Sequence, residues 1–138
     1  MAEPKTQPTD EDPRAFLERA APEKYRADAL RLIDLFSEVT GEPAVMWGSA
    51  IIGFGRYHIP RGKTPTPWPL SGFSPRSSSL TLYVLAAEAA QAANLARLGK
   101  HKVSGGCLHI QRLEDLDLQA LTDIIRTAHD TMKTRFPS

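Results

Sequence analysis

The chain has 138 residues, 41% hydrophobic and 24% charged, with a formal net charge of +1; this composition fits one soluble domain that buries its own core without disulfides or a structural metal. No apolar run approaches the roughly 18 residues that a membrane span needs, and the opening MAEPKTQPTDEDPR lacks the basic-then-apolar order of a secretory signal. A single cysteine, Cys107, cannot form an internal disulfide, which points to a reducing, cytoplasmic setting.

Residues 1–11 read as a disordered tail and 12–138 as one domain. Asp12-Pro13 starts a helix that runs to about Ala20, because Asp caps free backbone N–H groups and Pro suits the first helical position. A longer helix begins near Pro22 and carries Tyr25, Ala29, Leu32, Ile33 and Phe36 at spacings of three and four; Gly41 ends it.

From Val45 the apolar period falls from about 3.6 to 2. Val45–Gly48 and Ile52–Ile59 read as strands, the second with Gly53, Gly55 and Tyr57 on one side. Glycines inside a strand mark either crowded packing or a ligand lying close to the backbone. PRGKTPTPWP, residues 60–69, is too rich in proline for a sheet interior and carries Arg61 and Lys63. Leu70–Pro75 and Leu80–Leu85 are the next strands, joined by a turn at Ser77–Ser79. An alanine-rich helix over Ala86–Leu98 is closed by Gly99, and the basic loop Lys100-His101-Lys102 follows. Gly106–Gln111 is a fifth strand, with Leu108 and Ile110 facing one layer and Cys107 and His109 the other. Asp117 caps a last helix whose core stripe is Leu118, Leu121, Ile125, Ala128 and Met132. The expected fold is α+β: a mostly antiparallel sheet of about five strands with N-terminal and C-terminal helices packed on one face.

The charges are segregated. Residues 1–42 hold six Lys or Arg against ten Asp or Glu, residues 43–112 hold eight against one (Glu88), and residues 113–138 hold three against five. The middle of the chain is thus positive wherever its side chains share a surface, either for a partner or because sheet residues avoid acids.

Several motifs, GFGRYHI (53–59), GFSPR (72–76), LTLYVL (80–85), LGKHKVSGGCLHI (98–110) and the Leu116-Asp117-Leu118 helix start, occur in an order that resembles the bacterial YdhG-like family of domains of unknown function. The matching segments run from about Pro43 to Ile125, with the helix Arg26–Phe36 also similar. The resemblance implies an intracellular domain without an established enzymatic activity. Some members are described as frataxin-like iron chaperones, so the resemblance adds iron delivery to the candidate functions, with no ligand set carried over.

If helices cover the face of Leu82, Val84, Leu108 and Ile110, the opposite face carries Thr81, Tyr83, Cys107 and His109, with Gly53, Gly55 and Tyr57 joining them. Trp47, Trp68 and Phe73, together with Arg76 and Lys100, then complete an aromatic-lined, basic-rimmed concavity. Such a site suits a small anionic or planar ligand, or a partner segment, because rings supply apolar area and Arg76 grips a carboxylate or phosphate with two parallel hydrogen bonds. The alternative is a second small core under the proline-rich loop.

Three other chemistries compete. A Cys107–His109 thiol enzyme needs the imidazole within reach of the sulfur, yet the two Cα atoms lie about 6.6 Å apart at ordinary strand rise. Iron would use His58, His101, His109, Cys107 or the helical acids Asp28, Asp34 and Glu38. Nucleic acid would stack on the tryptophans, but the near-neutral charge and the lack of a binding motif disfavour it.

Overall fold

A computed structural model describes residues 8–48, 50–59, 66–85, 88–104 and 107–135, with backbone only at 58, 59, 66 and 88–90. Among them are α1 (Pro13–Ala20), α2 (Glu23–Thr40), β1 (Ala44–Trp47), β2 (Ile51–Phe54), β3 (Tyr57–Ile59), β4 (Thr66–Trp68), β5 (Ser71–Pro75), β6 (Leu80–Tyr83), α3 (Glu88–Leu98), β7 (Lys102–Ser104), β8 (Cys107–Ile110) and α4 (Leu118–Arg135). The fold is α+β, as expected from the pattern. Six strands form one sheet in the order β1-β2-β5-β6-β8-β7, every neighbouring pair antiparallel, and β3-β4 form a separate two-stranded ribbon.

The capping chemistry works as its residue types require. The Asp12 carboxylate accepts from the Arg14 N–H at 3.2 Å, and the Asp117 carboxylate accepts from the Gln119 and Ala120 N–H groups. Gly41 ends α2 in the left-handed region, φ 75°, and hands its N–H to the Ser37 carbonyl. Of the expected tail, residues 1–7 lie outside the described ones; Pro8 makes an isolated bridge with Trp47, and the Thr9 N–H donates to the Met46 carbonyl at 2.8 Å.

Strand register divides the sheet into two faces. The row Met46, Ile52, Phe73, Leu82, Leu108 runs across the cross-strand partners and faces the helices, with all five fully buried. Phe36 of α2 stacks on Phe54 at 4.9 Å between ring centroids and lies 5.5 Å from Phe73. Gln91 locks α3 down: its Nε2 donates to the Val84 carbonyl at 2.9 Å and to the Ile124 carbonyl at 2.8 Å. The last helix rotates slightly from its expected stripe. Ala120 and Ile124 are fully buried, whereas Leu118 in the first turn is 42% exposed.

Three strands differ from expectation. The proline-rich loop expected over 60–69 contains β4, which pairs with β3. The run Ile52–Ile59 breaks at Gly55, whose φ of 73° no strand residue adopts, so β2 and β3 belong to different sheets. The basic loop contains β7, which pairs with β8 through Lys102↔His109, Val103↔Leu108 and Ser104↔Cys107.

Candidate functional site on the open sheet face

The face away from the helices has two unlike halves. Over β1, β2 and β5 it is filled by the protein itself. Gly53 and Gly72 are cross-strand partners, and a Cβ added at Gly53 would lie 2.5 Å from Trp47 Cδ1 and 2.6 Å from Pro69 Cβ. The indole of Trp47, 1% exposed, therefore lies on the bare glycine backbone, with the Arg56 guanidinium 5.6 Å from its ring centre. Crowded packing, not an open ligand platform, is what Gly53 serves.

Over β6, β8 and β7 the same face is open and polar. Thr81, Tyr83, Cys107 and His109 lie together there, as the alternation predicts. The His109 ring is held between hydroxyls: Nδ1 is 3.1 Å from Thr81 Oγ1 and 3.5 Å from Ser79 Oγ, and Nε2 is 3.1 Å from Ser104 Oγ. Hydroxyls both donate and accept, so they satisfy the imidazole in either protonation state. When His109 is protonated both its N–H groups donate, and the protons of Thr81 and Ser104 turn away from the ring.

Two adjoining depressions of about 520 and 510 Å³ share Ser78, Ser79, Ser104 and His109. Arg76, Ser77, Thr81, Tyr83 and Cys107 line the second, and Lys100, His101, Lys102 and Gln111 the first. Among the described residues neither lining contains an acid. The Arg76 guanidinium runs along the face and donates to the Tyr83 hydroxyl at 3.0 Å; among the described residues neither Arg76, Lys100 nor Lys102 has an ion-pair partner.

The serine turn is rigidly held. The Arg76 N–H donates to the Ser79 carbonyl at 2.8 Å, and Gln111 Nε2 donates to the Ser78 carbonyl at 2.7 Å while its Oε1 accepts from the Tyr25 hydroxyl. His101 Nδ1 lies 2.8 Å from the Gly99 carbonyl. A carbonyl only accepts, so Nδ1 carries the proton.

Besides Trp47 and Gly53, which fill the other half of the face, four more residues expected at this site sit elsewhere. Phe73 pairs with Ile52 and so faces the helices, fully buried. Gly55 lies at the far end of the sheet, where an added Cβ would meet Leu70, Glu42 and His129. Tyr57 packs with Leu70 and Met132 in a small satellite core, and burial raises its phenol pKa. Trp68 is on the β3-β4 ribbon, 36% exposed. The loop bases Arg61 and Lys63 lie outside the described residues. Tyr83 is thus the one aromatic side chain in the described lining of the two depressions.

Cys107 is half-buried and unpaired. None of the described hydrogen bonds joins it to His109, whose nitrogens are directed at hydroxyls. No three His, Cys, Asp or Glu side chains gather closely enough to share a metal ion among the described residues. No helix of the described chain is long and apolar enough to cross a membrane.

A second histidine is buried at the other end of the fold. His129 of α4 is 2% exposed, with Nδ1 3.1 Å from Ser71 Oγ and Nε2 3.9 Å from the Glu42 carboxylate. Among the described residues Nε2 has no hydrogen-bond partner. Burial lowers its pKa; Lys133 adds to that and Glu42 and Asp130 oppose it. Periodicity places residue 129 beside the core stripe, but nothing in the sequence marks it as facing Glu42.

Ser78, Ser79, Ser104, His101 and Lys102 were not among the expected ligand-binding residues. Their signal was available in SSS and KHKVS, which flank the strands of Thr81 and His109. Comparison with family models, curated proteins and solved structures returns no match, so the assignment of this face rests on its own geometry.

Proposed function

We propose that this chain is a non-enzymatic, cytoplasmic binding module of the YdhG-like type that holds a small anionic ligand over β6, β8 and β7. The observation that carries this reading is the composition of the depression among the described residues: Arg76, Lys100 and Lys102 without ion-pair partners, an imidazole set among three hydroxyls, and no acid in the lining. A phosphate or carboxylate would accept from the Arg76 guanidinium and the serine hydroxyls, in charge-assisted bonds about twice as strong as neutral ones. The Thr81 and Ser104 hydroxyls beside the His109 ring add neutral donors to the site. In the described lining the aromatic contribution is limited to Tyr83, so anionic character outweighs planarity in choosing the ligand.

Amide and imidazole NMR spectra recorded during titration with inorganic phosphate, and separately with citrate, test the location. The expected result is saturable shifts at Ser78, Ser79, Ser104 and His109, with the α1-α2 surface unchanged. Shifts spread over the basic residues without saturation would overturn the reading.

A further inference from the structure

The anion depression runs out to the sheet edge, and among the described residues nothing pairs with the outer side of the edge strand. Described residues pair β7 on its β8 side alone. Lys102, Val103 and Ser104 are all exposed, Val103 by 41%. The opposite edge is treated differently, since the Pro8 bridge and the Thr9 N–H close the last part of β1, at Met46 and Trp47. An unpaired edge presents a row of backbone donors and acceptors that accepts one more strand.

We infer that β7 receives an extended acidic segment of a partner protein, added as a seventh strand; this rests on the reading of the depression as an anion site. Side chains alternate along a strand. Lys102 and Ser104 therefore share the open face with His109, while Val103 projects toward the helix side next to Leu108. A strand laid along β7 with acids at every second position puts them beside Lys102 and toward Lys100. Its intervening apolar residues come beside Val103 and cover it. The specificity is thus an acidic–apolar alternation.

Charge decides between occupants. A second copy of this chain adding through its own β7 would set two lysine-bearing strands side by side, and like charges across a strand pair are destabilising. A lysine on an edge discourages such pairing, yet attracts a strand bearing carboxylates. A small free anion fills the depression but leaves Val103 and the β7 backbone bare.

The test is amide hydrogen exchange on the whole chain with three probes: the blocked pentapeptide Glu-Val-Glu-Val-Glu, the same peptide with Lys for Glu, and inorganic phosphate. With the acidic peptide at roughly ten times its Kd, exchange over residues 102–104 is expected to slow about tenfold, as the free fraction falls by that factor. Phosphate is expected to compete with the peptide without slowing exchange in β7. K102E, an exposed change that leaves the core untouched, is expected to weaken the acidic peptide and strengthen the lysine one. Phosphate binding with no peptide protection of β7 would overturn strand addition and leave the anion site standing. Failure of both phosphate and peptide to bind would overturn the two together, and equal protection by both peptides would overturn the choice of an acidic partner.

Discussion

Replacing Gly53 by alanine probes how the open face is divided. The added methyl would stand 2.5 Å from Trp47 Cδ1, 2.7 Å from Trp47 Nε1 and 2.6 Å from Pro69 Cβ, all closer than carbon atoms approach. The indole is 1% exposed and cannot swing into solvent without uncovering a large apolar area. Overpacking of this kind costs about 1–3 kcal/mol, offset by about 0.4–1 kcal/mol from the stiffer unfolded chain. A net loss of about 1–2 kcal/mol corresponds to a fall in Tm of roughly 3–8 °C for a chain of this length. Urea unfolding followed by fluorescence measures it, with W68F as background so that Trp47 reports alone. In a W47L background, with unfolding followed by circular dichroism, the same G53A change is expected to cost less than in the parent, only the contact with Pro69 Cβ remaining, which gives a measurable coupling in the double-mutant cycle. A neutral or stabilising G53A in the parent would refute the placement of the indole on Gly53 and reopen that half of the face as a ligand platform.

Two further predictions concern buried polar groups. His129 titrates below its ordinary value, so the unfolded chain binds its proton more readily and stability is lost as pH falls from about 6.5 toward the lower folded value. Urea midpoints between pH 8 and pH 5 are expected to converge for wild type and H129Q as the pH drops, and parallel curves would contradict the assignment. Gln91→Leu strips two buried carbonyls of a donor and is expected to cost about 1–3 kcal/mol in urea unfolding; a cost near zero would show that Gln91 does not lock α3.

The helices were legible because their signals are local. Asp12, Gly41 and Asp117 act within a few residues, and the stripe from Tyr25 to Phe36 buries the side chains it names. Strand alternation likewise placed Thr81, Tyr83, Cys107 and His109 together. What failed needed long-range information. Phe73 has two possible faces until its pairing with Ile52 chooses one. Gly55 reads as strand until its positive φ is known, and β7 reads as a basic loop because Lys102 and Ser104 suit solvent as well as an edge. Trp47 and Gly53 are six residues apart in sequence, but only the β1-β2 hairpin brings the indole onto that glycine, and with it disappears the aromatic lining expected for the ligand site.

The central claim, an anion site over β6, β8 and β7, is tested most directly by calorimetric titration of inorganic phosphate into wild type, R76A and R31A, the last removing an exposed arginine of α2 as a charge-matched control. Loss of a charge-assisted contact worth about 1.5–3 kcal/mol predicts roughly 10- to 100-fold weaker binding in R76A and little change in R31A. Equal weakening in both variants, or none in either, would contradict the account.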